Sequence, residues 1–223
     1  LPMSEVAKLI VNGQEYEFPI IVGTENEVAI NIKTLRSVTK GIITLDSGFK
    51  NTGSCESKIT FLDGEKGILR HRGYAIEELT KKASFLEVAY MIIFGELPTK
   101  EQFAKWEKDI KYHQLLNEEM KDIIDGFPKK AHPMGMLSSL TSALTAFNPA
   151  TVDITKEDQV YDAITKLMGK FPVIAAWAHS KNLGTPLNYG DNSLDYVQNI
   201  MQMMFRIPTE KYVMNPIAVK ALD

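Results

Sequence analysis

A chain of 223 residues that is 44% hydrophobic and 24% charged can bury a sizeable core and is too apolar to stay disordered. Its formal net charge of −3 offers no broad attraction to nucleic acid or to anionic lipid. A single cysteine, Cys55, excludes an intrachain disulfide and a thiolate cluster for zinc or iron–sulfur, and it points to a reducing compartment, the cytoplasm.

The first sixty residues read as strands and turns. In KLIVNGQEYEF the pair Asn12-Gly13 suits the two positive φ angles of a type I′ turn, which predicts a hairpin over residues 8–18. After Ile30-Asn31-Ile32, TLRSVTK predicts a short helix, GIITLDSG a further strand and FKNTGSCES a polar loop. TFLDGEKGILRHRGY predicts a second hairpin that hands the chain to helices. If its strand runs on, Arg70 and Arg72 share one face and His71 takes the other.

From residue 75 the pattern is helical. Ser84 followed by Glu87 gives a capping box, and Gly95 with Pro98 beyond it gives a stop. The helix between them is apolar nearly all round, which predicts burial; at ten residues, Phe85 to Phe94, with Glu87 inside, it is too short to span a bilayer. Thr99 caps a helix with Phe103, Trp106 and Ile110 on one face. Further helices are predicted over 117–125, 133–147, 156–169 with a continuation after Pro172, and 193–205, with Pro216 opening another. The fold class is therefore mainly α, with a β-rich region over residues 3–74 ending in the hairpin and a helical region over 75–223. Leu1 and Pro2 precede a Met3 that has the character of a natural start, and no secretory pattern follows it.

Little in this chain announces chemistry. His71, His113, His132 and His179 form no i, i+4 pair and have no cysteine nearby, so no metal site is expected. His132, just before Pro133, suits a helix cap. Ser138, Ser139 and Ser142 share a helix with Thr141 and Thr145 but have no adjacent base, and they read as small residues for close packing. Met201, Met203 and Met204 read as core filling. Arginine is limited to Arg36, Arg70, Arg72 and Arg206; a dicarboxylate clamp wants two or three convergent ones, only Arg70 and Arg72 stand together, and for that pair ion pairing with the neighbouring turn is favoured over meeting an anion.

Four segments in order, SKITFLDGEKGILRHRGYAIEEL, SFLEVAYMIIFGELPTKEQ, AHPMGMLSSLTSALTAF and YVMNPIAVKALD, resemble the N-terminal half of citrate synthase. The resemblance runs from about residue 40 to the end. The β-rich extension with GFKNTGSCESKIT resembles the bacterial type associated with hexamers and, in some members, with NADH inhibition. The resemblance implies the helical large domain of citrate synthase, in part, preceded by a small β-rich region. It also implies an acyltransferase that condenses acetyl-CoA with oxaloacetate, needs no cofactor, and works as a homo-oligomer, dimer or hexamer, with no nucleic-acid or membrane partner.

The family's carboxylate base, imidazoles and arginines lie in segments absent from this chain. No catalytic residue is therefore expected here, and the chain is expected to be a silent fragment. An allosteric NADH site is implied at His113, Asn148, Lys166 and Lys170, thinned because Tyr112, Gln114, Asn148 and Thr209 stand where such members carry arginine, threonine, tyrosine and cysteine. Two alternatives remain open: a fragment of 2-methylcitrate synthase, which accepts propionyl-CoA, and a non-enzymatic helical interaction module.

Overall fold

The computed structural model describes residues 6–149 and 153–223, and the chain divides between Lys58 and Ile59 into two compact units. In the first unit, β1 (Val6–Val11), β2 (Gln14–Val22) and β3 (Val28–Ile30) form an antiparallel sheet in that order. Val11 pairs with Gln14, and Asn12 and Gly13 between them take φ of 51° and 78°, the left-handed geometry expected of this turn. A short helix, α1 (Leu35–Val38), follows, and Phe18 and Leu35 are buried.

The strand expected over GIITLDSG does not form. Lys40 and Gly41 enter it with positive φ, and the Asp46 carboxylate then accepts from the Asn51 N–H at 2.7 Å and from the Thr52 hydroxyl at 2.8 Å. Local side-chain bonds of this kind compete with a ladder, and Ile43 and Leu45 are left 68% and 91% exposed.

The second unit opens with β4 (Thr60–Asp63), β5 (Ile68–His71) and β6 (Tyr74–Ala75), again antiparallel in sequence order. The strand does not run through Arg72. His71 pairs with Tyr74, and Arg72 and Gly73 form the intervening turn with φ of 49° and 88°. Arg70 and Arg72 therefore do not share a strand face as expected. The Arg72 guanidinium instead reaches forward to Ile92 O at 2.8 Å, tying the hairpin to the helix that follows. The hairpin lies in the same compact unit as the helices, residues 59–223.

Eight helices complete the described residues: α2 (Ile76–Lys82), α3 (Phe85–Phe94), α4 (Lys100–Tyr112), α5 (Met120–Asp125), α6 (Pro133–Phe147), α7 (Glu157–Leu183), α8 (Tyr196–Phe205) and α9 (Pro216–Leu222). Reciprocal capping boxes start α3 at Ser84/Glu87, α4 at Thr99/Gln102 and α8 at Asp195/Gln198. The break expected near Pro172 is absent, and α7 runs through it unbroken.

Two tryptophans centre the packing. Trp177 lies with Met136, Leu140, Leu144 and Met203, and Trp106 lies with Leu86, Ile110 and Val197. Both indole N–H groups are satisfied, Trp106 by Leu86 O and Trp177 by Asn188 O. α3 is less buried than its composition predicts: Leu86 and Met91 are covered, while Phe85, Ile93 and Phe94 remain 43%, 37% and 42% exposed. No helix among the described residues is long and apolar enough to cross a membrane.

Candidate functional site

His113, Lys166 and Lys170 meet where α4 ends against α7. Contact there is close because residue 169 is glycine: a Cβ at that position would stand 2.6 Å from Ile110 O and 3.1 Å from His113 Cβ. The approach carries His113 over the next turns of α7. Its Nε2 lies 3.7 Å from Asp162, whose carboxylate also accepts from Lys166 at 2.7 Å. Lys170, one turn further on and 7% exposed, donates its ammonium to Leu115 O.

Burial lowers the Lys170 pKa, and the charge of Lys166 lowers it further. Burial also holds the His113 imidazole below the ordinary histidine value; Asp162 pulls the other way, and both lysines reinforce the effect of burial. Three of the four predicted regulatory residues are thus one electrostatic group. Asn148 belongs to a different element, at the C-terminal end of α6, where its amide donates to Leu144 O at 3.0 Å.

Beside this group lies a cavity of about 640 Å³ between the end of α4 and the segment before α8, with Lys111, Tyr112, Gln114, Tyr189, Gln202 and Arg206 among its walls. The carboxamides of Gln114, Asn188 and Gln202 line it, and Asn199 stands behind them. Asn199, fully buried, donates to Gln114 Oε1 and accepts from the Asp191 N–H at 2.9 Å. Asn188 donates to Met203 O at 3.0 Å and Arg206 O at 2.8 Å. Sequence reasoning missed these residues. The available signal was a pair of amides three residues apart, Asn199 and Gln202, on one face of a largely apolar helical run.

The remaining candidates are held in structural contacts. His132 caps α6, its Nδ1 accepting from Met134 N–H at 3.2 Å. His71 Nδ1 meets the Thr60 hydroxyl at 3.1 Å, and His179 packs edge-on against Phe205. The Arg70 guanidinium stands 6.0 Å from the Phe61 ring centre. Among the described residues, no three His, Cys, Asp or Glu side chains gather as a metal-binding group.

Residues 48–223 match the family model described as "Citrate synthase, C-terminal domain". This chain belongs to the citrate synthase family. It is 44% identical over 211 residues to the citrate synthase of Corynebacterium glutamicum, covering 95% of this chain and 48% of that protein. It is 42% identical over 219 residues to citrate synthase 1 of Mycobacterium tuberculosis, covering 98% and 51%. The crystal structure of citrate synthase from Pyrobaculum aerophilum superposes with a TM-score of 0.69 at 27% identity, covering 92% of this chain and 48% of that one. The chain therefore spans about half the length of the citrate synthases it matches, and its helical unit has the citrate synthase fold.

Proposed function

We propose that this chain is the scaffold-bearing part of a citrate synthase, which condenses acetyl-CoA with oxaloacetate to give citrate and CoA, and that taken alone it does not turn over. The carrying observation is the 44% identity to the Corynebacterium glutamicum enzyme across 95% of the chain. The reaction needs a carboxylate to take the methyl proton, an imidazole on the enol oxygen and arginines on the dicarboxylate. The chain's own candidates are engaged elsewhere. His71, His132 and His179 make hairpin, cap and stacking contacts, His113 sits among lysines, and Arg72 holds Ile92 O. The substrates are small molecules, no cofactor is required, and the whole enzyme is a cytoplasmic homo-oligomer, dimer or hexamer.

The test is thiol release from acetyl-CoA with oxaloacetate, run on the 223-residue chain and on a polypeptide extended to the relatives' length. Activity only in the extended protein is expected, and turnover by the shorter chain overturns the assignment of roles. Preference for propionyl-CoA makes the protein a 2-methylcitrate synthase. Inactivity of both forms makes it a helical interaction module.

A second reading concerns regulation, and the buried Lys170 favours it. An ammonium 7% exposed, with a carbonyl as its partner and Lys166 beside it, is costly unless an anion comes to meet it. His113, Lys166 and Lys170, with Asn148, form an allosteric NADH site in this reading. Titration of the extended protein with NADH should give a saturable loss of activity that Lys166→Ala weakens. An unchanged activity curve overturns it.

A further inference from the structure

α8 packs through Tyr196, Val197 and Ile200 toward Trp106 and through Met203 and Met204 toward Trp177, and its buried amides add hydrogen bonds on the second side. Toward Trp177 its apolar contribution is Met203 and Met204. Methionine is unbranched and flexible, so it fills space in several arrangements and specifies none of them strongly. The carboxamides next to it are directional. Asn199 bridges Gln114 on the α4 side and the Asp191 N–H, Gln202 donates to Tyr189 O at 3.3 Å, and Asn188 reaches back to Met203 O and Arg206 O at the end of α8. Trp177 Nε1 then holds Asn188 O at 2.9 Å.

A slip of α8 by one residue turns its side chains by about 100° and breaks the bonds of Asn199 and Gln202 together. Gly190 completes the fit, since a Cβ there would lie 3.2 Å from both Asn199 Nδ2 and Gln114 Oε1.

We propose that the buried carboxamides Asn188, Asn199 and Gln202 are a register lock on the Trp177 side of α8, selecting there one seating among those Met203 and Met204 would accept. The lock sets the cavity as well, because Gln202 and Arg206 line it.

The test is amide hydrogen exchange, read by mass spectrometry over residues 196–205 of the chain. In Gln114→Leu/Asn199→Leu, exchange in α8 should accelerate at least tenfold while α6 and α7 keep their protection. Met203→Leu/Met204→Leu, which changes the apolar packing and spares the amides, should leave α8 within about twofold of the parent. If the double leucine variant does not fold, Gln202→Met removes one bond at the cavity rim at similar volume and should accelerate α8 about threefold. Unchanged α8 exchange in the amide variants, or equal acceleration by the methionine replacements, overturns the proposal.

Discussion

The Tyr196 hydroxyl donates to Met168 O at 2.8 Å, and Met168 O is the carbonyl that Pro172 leaves without its helical donor. A side chain on α8 thus supplies the bond that the proline in α7 cannot. This explains how α7 passes through Pro172 unbroken. It also fastens the two helices at a buried point. Tyr196→Phe should lower unfolding free energy by about 1–3 kcal/mol, the cost of orphaning a buried carbonyl. In a Pro172→Ala background, where residue 172 regains its N–H, the same change should cost less. A urea double-mutant cycle measures the difference, and equal costs in both backgrounds would refute the coupling.

The same phenol predicts an alkaline limb. Burial raises its pKa, so the folded state keeps the proton while the unfolded chain begins to lose it near pH 10. A raised pKa gives stability that is whole below the unfolded value and is lost as pH climbs toward the folded one. Stability should therefore fall above about pH 10, and less steeply in Tyr196→Phe than in the parent. Parallel limbs in the two proteins would show that other groups carry the effect.

His113 predicts the opposite limb. Its folded pKa is depressed, chiefly by burial, so its contribution is present above the unfolded value and is lost as pH falls. Melting temperature should decline from about pH 6.5 downward, and His113→Gln should flatten that decline. A histidine variant that tracks the parent at every pH between 7 and about 5 would contradict this assignment.

Gly169 should not tolerate a side chain. Alanine gains up to about 1 kcal/mol of helix propensity. Its methyl, however, would stand 2.6 Å from Ile110 O, a backbone atom that cannot swing aside, and such overpacking typically costs about 1–3 kcal/mol. Gly169→Ala should therefore be net destabilising in urea and should weaken the packing of α4 on α7. A gain in stability would mean that α4 can yield.

The exposed apolar residues carry a prediction about the isolated chain. Phe85, Ile93 and Phe94 on α3 and Ile217 and Leu222 on α9 face outward, the last two 79% and 60% exposed. Large apolar areas in water associate. Sedimentation should show species heavier than the 25.0 kDa protomer, reduced by Phe94→Ser/Ile217→Ser. A stable monomer at all concentrations would count against it.

The sequence by itself determined what depends on near neighbours. The Asn12-Gly13 hairpin, the capping box at Ser84, the cap at Thr99 and the run of α6 from Pro133 to Phe147 could be read because φ preferences and cap bonds act within a few residues. The motifs around residues 60–75 and 131–147 also carried the family. Local reading failed where a competing bond or a distant partner decided the outcome. Asp46 closed a turn in place of the predicted strand, and Tyr196 rescued the helix at Pro172.

Only the tertiary structure decided which polar side chains meet. Gln114 and Asn199 bond across 85 residues of sequence, Lys170 finds Leu115 O across 55, and Arg72 finds Ile92 O. Such pairs follow from which helix faces come together. That is set by the summed burial of many side chains around Trp106 and Trp177, not by any short stretch of chain.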